Sequence, residues 1–362
     1  MFHGARILVA PLDWGLGHST RCVPIIRRLL ELGAEPVIGA DGGPLALLRG
    51  EFPAIPWVRI PGVRIRYGSG RSQLWSMARQ FPAMVRSVQA ERALFDRIRH
   101  AMRLDAVISD QRFGIRATDL PSVIVTHQVF PFTPIAQSAL RQLNLRHIAR
   151  FHRCWVMDEP EAPGLAGELS HGERMPANAR YIGTLSRLRS DGPEARDPYR
   201  IVAVFSGPEP QRGILERMLL ERLPHIPGEH LMVRGLPGDT PVRRHCNITV
   251  VPHLAADDLA MHLRAAEMIV SRSGYTTLMD LVAMGRTALV VPTPGQAEQE
   301  YLGALHRRTG RFVVQRQDDI DLKRALDRID SGLVSRPRFG QPLLEEALKE
   351  LAGLIPRPVA AA

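Results

Sequence analysis

Disulfide patterns, metal-ligand clusters and membrane spans are all missing from this sequence, and each absence removes a class of protein. Only three cysteines occur in 362 residues. Cys22, Cys154 and Cys246 are far apart and odd in number, so they form neither a zinc spacing nor a disulfide framework and read as buried or incidental thiols. The 13 histidines are scattered, with no H-E-x-x-H. The sole Asp-x-Asp, Asp319-Ile320-Asp321, falls at an expected helix start, where acidic residues are common. No metal site and no cofactor are expected. A Ser-His-Asp hydrolase would need a G-x-S-x-G elbow, which is absent. No apolar run approaches the roughly 18 residues of a membrane span. The N-terminus, Met1-Phe2-His3-Gly4-Ala5-Arg6, lacks the order of a signal peptide, so a cytoplasmic chain is expected.

Positive charge is abundant: 47 Lys+Arg against 37 Asp+Glu give a net charge of +10. Such a balance suits anionic partners, whether nucleic acid, an acidic membrane face or phosphorylated small molecules. The arginines are spread along the chain and no nucleic-acid-binding module is legible, so nucleic acid is not the expected partner. The chain is too long for one ordinary domain and comfortable for two of about 150 to 200 residues.

Short apolar strands alternate with helical patterns through both halves. In the first, Ile7-Leu8-Val9-Ala10, Val37-Ile38-Gly39-Ala40, Trp57-Val58-Arg59-Ile60, Ala106-Val107-Ile108 and Val123-Ile124-Val125 read as strands. Cys22, Ile25, Ile26 and Leu29 mark one helix face, which Gly33 ends. A polar, Pro- and Gly-rich stretch at 189–198 reads as a linker. A second series follows at Ile201–Phe205, Leu231–Val233, Ile248–Val251, Met268–Val270, Ala288–Val291 and Phe312–Val314, with helical patterns near 212–223, 258–265, 276–284, 297–308 and 319–330. Strand, helix, strand at this spacing predicts two parallel, doubly wound α/β domains, 1–188 and 199–362.

In such sheets ligands bind outside the carboxyl ends of the strands, and four loops there stand out. Asp13–Thr20 holds Gly15-Leu16-Gly17-His18 at a helix start, where glycines allow close ligand approach and the helix end favours anions. It is neither a dinucleotide fingerprint nor a Walker loop. His18 is a candidate general base, its alternative being a capping or packing role. Ser271-Arg272-Ser273-Gly274, with Thr277 and Asp280 behind it, can hold a diphosphate, with Asp280 accepting both hydroxyls of a ribose. Thr277-x-x-Asp280 also reads as a capping box. Pro292–Glu300 gathers Gln296, Glu298, Gln299 and Glu300, which suit sugar hydroxyls or a solvated first turn. Ser206-Gly207, ahead of Arg212, can meet phosphate.

Taken in order, these loops resemble the family 28 glycosyltransferases, the MurG-like branch of the GT-B fold. The resemblance rests on Gly15-Leu16-Gly17-His18 and on Arg272-Ser273-Gly274, Thr277, Asp280, Gly285, Val291-Pro292 and Gln296 or Gln299. It implies two Rossmann-like domains facing a cleft, a last helix near 342–355 packing back on the first domain, and an inverting, metal-independent transfer of a hexosamine from a UDP-sugar. Asp280 would bind ribose, Gln299 with Glu298 or Glu300 the donor sugar, Leu254 would lie at the base, and Arg187 would meet the diphosphate. The family's Gly-Gly-Ser-Gln-Gly loop is replaced here by Ser206-Gly207-Pro208-Glu209-Pro210-Gln211-Arg212. Its His-Glu-Gln-Asn element survives as Thr126-His127-Gln128 without the acidic residue, which implies a different acceptor, lipid-linked or a glycan. Asp110 and His127 are the fallback bases. The Gly15–Cys22 stretch also resembles the nucleotide-sugar hydrolase PseG, so water as acceptor and a non-catalytic binding subunit are alternatives. The Arg-rich stretch Arg64–Arg103, interleaved with Leu74, Trp75 and Phe81, reads either as an amphipathic helix on the anionic inner membrane face or as a helix packed on the first sheet.

Overall fold

A computed structural model describes residues 1–13, 15–62, 73–133, 137–172, 174–236, 241–332 and 343–356. The first half runs β1 (Arg6–Pro11), α1 (Leu16–Glu31), β2 (Glu35–Ala40), α2 (Gly42–Glu51), β3 (Trp57–Arg59), α3 (Gln73–Ala101), β4 (Ala106–Asp110), β5 (Ser122–Thr126), α4 (Gln137–Ile148), β6 (Arg153–Val156) and β7 (Ala179–Tyr181). The second runs β8 (Ile201–Val204), α5 (Gln211–Arg222), β9 (His230–Val233), β10 (Arg243–His245), β11 (Ile248–Val251), α6 (Ala256–Ala265), β12 (Met268–Ser271), α7 (Tyr275–Ala283), β13 (Leu289–Val290), α8 (Ala297–Arg308), β14 (Val313–Val314), α9 (Leu322–Asp330) and α10 (Leu343–Leu354).

Each half forms its own seven-stranded sheet. The first has the order β3-β2-β1-β4-β5-β6-β7 and is parallel throughout. The second has the order β10-β11-β9-β8-β12-β13-β14 and is parallel except at β10–β11. Parallel sheets are covered by helices on both faces, so their central strands must be apolar on both sides. Ile7, Leu8, Val9 and Ala10 accordingly are all fully buried. Strand order reverses beside β1 and β4 in one sheet and beside β8 and β12 in the other. The loops after these four strands therefore line a crevice.

Most of the basic stretch from Arg64 to Arg103, including Leu74, Trp75 and Phe81, lies outside the described side chains. The later turns of α3 place Phe95 and Ile98 in a buried cluster with Leu8, Val37, Ile60 and Val107, against the first sheet. Among the described residues no helix is long and apolar enough to cross a membrane. Asp319-Ile320-Asp321 serves a helix start: Asp321 caps α9, its side chain accepting from Arg324 N.

One apolar cluster runs through both halves, joining Met157, Leu165 and Leu185 to Leu278, Met279 and Leu302. Asp158 shapes the first half's contribution. Its buried carboxylate accepts from the backbone N–H of Glu159, Leu165 and Ala166 and from the Ser170 hydroxyl. The loop so formed meets the second half: Tyr301 Oη accepts from Glu168 N at 2.7 Å and His306 Nε2 lies 3.0 Å from the Leu165 carbonyl. Helix α10 returns to the first half, where Glu345 pairs with Arg28 and Glu350 with Arg153 and Arg180.

Gly167 is where this contact is tightest. Its φ is +60°, and a Cβ there would stand 2.2 Å from Tyr301 Oη and 2.8 Å from Leu305 Cδ2. Gly167→Ala is expected to lower stability by about 1–3 kcal/mol through strain and overpacking, measured by urea unfolding. Tyr301→Phe, which leaves the backbone untouched, should cost less.

Candidate active site

The loop after β1 leads into α1, whose N-cap is Gly15 with no side-chain capping bond. His18 therefore does not cap the helix. Its Nδ1 lies 3.1 Å from Asp110 Oδ2, at the carboxyl end of β4, and 2.7 Å from Arg21 Nη2, one turn along α1. Arg21 grips Asp110 with both arms: Nε donates to Oδ2 at 2.7 Å and Nη2 to Oδ1. The remaining guanidinium nitrogen, Nη1, lies 3.4 Å from His127 Nδ1. His127 follows β5, and its Nε2 lies 2.8 Å from Glu298 Oε1 in the second half of the chain. Gln128 Nε2 donates to the other Glu298 oxygen at 2.7 Å. Tyr275, the first residue of α7, stacks on His127 with ring centroids 4.1 Å apart and 3° between planes. One continuous polar array thus crosses the crevice.

Its electrostatics follow from burial and pairing. Burial alone would raise the pKa of Asp110, but the charge of Arg21 and the neighbouring His18 outweigh it and bring the group down to about 2. Burial and then the Arg21 charge push His18 below the ordinary histidine value, despite Asp110. His18 is therefore neutral near pH 7 and can exchange a proton. Burial opposes ionisation of Glu298, yet its bond with His127, and behind it Arg21, hold it below the usual range. His18 and Glu298 keep 16% and 22% of their side chains open, while Asp110 is sealed. His18 on α1 and Glu298 on α8 thus present one imidazole and one carboxylate to the crevice.

The starts of α1 and α7 approach closely. Thr276 Oγ1 donates to the Gly17 carbonyl at 3.3 Å, and a Cβ on Gly17 would stand 3.1 Å from that oxygen. Helix α7 begins at Tyr275 with Gly274 as N-cap, so Thr277 lies inside the first turn and Asp280 beyond it. The capping-box reading of Thr277 and Asp280 is corrected accordingly. Asp280 Oδ1 accepts from the Ser186 hydroxyl at 2.6 Å. Burial raises its pKa to about 6, against the lowering effect of Ser186 and Arg187. A carboxylate with one oxygen engaged and a disfavoured charge is ready for further hydrogen-bond donors.

Several expected ligand contacts are occupied by the protein itself. Arg272 is buried and donates to the carbonyls of Gln211, Val291 and Pro292 and to Gln317 Oε1. Burial lowers its pKa to about 10. Its side chain braces the loop; it does not present charge to a diphosphate. Ser273 Oγ donates to the Gln299 carbonyl, and Gln299 Oε1 accepts from Thr293 N. Both are buried, Ser273 tying α8 to the loop after β12 and Gln299 tying it to the loop after β13. Arg187 pairs with Glu51 at 3.1 Å, on the first half's side. Leu254 is half-buried against the main apolar cluster. Ser206 and Gly207 are exposed after β8, but Glu209 accepts from Gly213 N at 3.0 Å and from Arg212 Nε at 3.2 Å, so a carboxylate of the chain covers the start of α5. Gln296 is the N-cap of α8 without a side-chain capping bond, and Glu300 accepts from Gly295 N at 2.8 Å.

Arg21, Gln128, Ser186 and Tyr275 belong to this constellation but do not stand out in the sequence. Arg21 had a signal, since three residues from His18 on a helix is the same face. The carboxylate missing beside His127 also has an answer in space. Glu298, 171 residues further along the chain, occupies that role. Among the described residues no group of three His, Cys, Asp or Glu is arranged to hold a metal ion.

Two Rossmann-like units facing each other across a polar crevice are the GT-B architecture. Residues 243–328 match the glycosyltransferase family 28 C-terminal domain. Beyond that segment, the chain is similar to MurG-like, family 28 glycosyltransferases over most of its length. Curated relatives named UDP-N-acetylglucosamine--N-acetylmuramyl-(pentapeptide) pyrophosphoryl-undecaprenol N-acetylglucosamine transferase are similar over most of its length. That of Syntrophotalea carbinolica is 26% identical over 343 residues, covering 89% of this chain and 88% of its own. That of Methylobacterium nodulans is 25% identical over 321 residues, covering 78% and 76%. Among solved structures, the glycosyltransferase SnogD from Streptomyces nogalater shares the fold, with 19% identity, a TM-score of 0.61 and coverage of 97% of this chain and 100% of that one.

Proposed function

We propose that this glycosyltransferase moves a hexosamine from a UDP-sugar to an acceptor hydroxyl, with inversion and without a metal ion. The observation that carries the reading is the juxtaposition across one crevice of α7 and Asp280 with the His18–Asp110 pair. The family 28 match spans residues 243–328 and so includes α7, and the relatives named above act, by name, on UDP-N-acetylglucosamine. Asp280 would accept the ribose hydroxyls. The first N–H groups of α7 would face the diphosphate, offsetting its charge as the sugar leaves. Glu298 would meet the sugar. His18 would take the proton of the acceptor hydroxyl as its oxygen attacks the anomeric carbon and the bond to UDP breaks. The acceptor would be lipid-linked or a glycan, and the lack of an acidic residue within Thr126-His127-Gln128 favours one other than that of the named relatives. The enzyme would work in the cytoplasm, at or near the inner membrane face.

A thermal-shift screen of UDP-, GDP-, dTDP- and CMP-sugars tests the donor, because a ligand of the native state raises its apparent stability. UDP-sugars should give the largest shift; a preference for another base would overturn that assignment. Asp280 adds a pH signature. Its charged form is the acceptor of two hydroxyls, so affinity is full above about pH 6 and falls below it, by up to about tenfold per pH unit. Asp280→Asn should remove this part of the dependence in calorimetric titrations from pH 5 to 8. Identical pH profiles for the two proteins would refute the ribose role.

A further inference from the structure

His18 can take a proton from an acceptor only through a ring nitrogen that carries none, so the position of its own proton matters. Two groups compete for Nδ1. Asp110 Oδ2, at 3.1 Å, would accept a proton from it, whereas Arg21 Nη2, at 2.7 Å, can only donate to it. The shorter contact belongs to the arginine. Both Asp110 oxygens are already engaged by the same guanidinium, through Nε and Nη2. Nη2 carries two hydrogens, which allows one for Asp110 and one for His18. His127 repeats the arrangement, with Nδ1 toward Arg21 Nη1 and Nε2 toward the Glu298 carboxylate, which must accept.

We infer that Arg21 is a positioning residue that holds the resting His18 in the Nε2–H form, leaving it a hydrogen-bond donor toward the crevice. This rests on the reading of His18 as the proton acceptor in transfer. The base is then armed by one exchange: Arg21 releases Nδ1, the ring gives its Nε2 proton to one water and takes a proton from another at Nδ1, and Nδ1–H turns to Asp110 Oδ2. The ring is neutral before and after the exchange, which agrees with the burial and the Arg21 charge that disfavour its cation. Arg21 is buried and gripped by Asp110, so the default state is the unarmed one.

The test is a long-range proton–nitrogen NMR spectrum of the full chain labelled with nitrogen-15 histidine, without ligand at pH 7.5. His18→Gln identifies the His18 signals among the 13 histidines. The wild-type ring should show the Nε2–H pattern. A wild-type Nδ1–H pattern, or a doubly protonated ring, would overturn the inference without any further variant. Arg21→Lys keeps a cation for Asp110 but loses the planar fork that reaches both partners. In that variant the His18 pattern should shift toward Nδ1–H. A folded Arg21→Lys protein with unchanged Nε2–H signals would show that Arg21 is not the cause. The spectrum needs neither donor nor acceptor, so absence of transfer activity leaves this result standing, and a wrong tautomer leaves the transfer reading standing.

Discussion

His18→Ala is expected to lower kcat by about 10²–10⁴-fold, the usual contribution of a positioned acid–base group, while UDP affinity stays within about threefold of wild type. The asymmetry comes from the layout of the crevice. His18 stands on the α1 side, next to Asp110 and Arg21, and the proposed nucleotide contacts stand on the α7 side, at Asp280. A substitution at His18 also leaves the Arg21–Asp110 pair in place, so the fold should persist. Steady-state kinetics and calorimetry on the same preparation separate the two effects. Near-normal turnover with UDP-sugar bound would end the role of His18 as base. A parallel loss of UDP binding would instead mean that His18 supports the donor.

Asp110→Ala should be the most destabilising single change in the crevice, by about 3–5 kcal/mol, because it strands the buried Arg21 charge. Asp110 is sealed from solvent and Arg21 nearly so, which leaves water no route to replace the lost partner. Asp110→Asn, which keeps shape and one acceptor, should cost less. The ion pair also predicts a pH signature. The folded pKa of about 2 lies below the unfolded value of roughly 3.9. The pair's contribution, on the order of 2–3 kcal/mol, is therefore fully present above about pH 4 and lost as pH falls toward 2. Urea unfolding between pH 2.5 and 7 should show this acid limb in the wild type and a shallower one in Asp110→Asn. Equal limbs would mean that Asp110 is not paired in the folded state.

The α/β architecture was legible because buried parallel strands must be apolar on both faces, and β1, β2, β5, β8 and β12 are such runs. β6, β7 and β10 escaped: Arg153-Cys154-Trp155-Val156 is a four-residue run opening on a charge, β7 and β10 have three residues each, and Arg243-Arg244-His245 is exposed at an edge. The site was half legible. Motif spacing located the loops after β1 and β12, since glycines and helix starts leave local marks. Spacing could not say which way a long side chain turns. Arg272 reads as a phosphate ligand in a one-dimensional motif, yet in space its guanidinium meets four protein oxygens. Ser273 and Gln299 likewise spend their polar groups on the protein, Ser273 Oγ on the Gln299 carbonyl and Gln299 Oε1 on Thr293 N. The partnership of His127, Gln128 and Glu298 spans both halves of the chain and has no local trace at all.

In the proposed donor site, α7 and Asp280 would hold a UDP-sugar opposite His18. Calorimetric titration of UDP-N-acetylglucosamine into wild type and Asp280→Ala at pH 7.5 tests it most directly. Loss of hydrogen bonds to a charged acceptor, about 1.5–3 kcal/mol, predicts binding weaker by roughly tenfold to a hundredfold in a variant that remains folded. Equal affinities in the two proteins would contradict it.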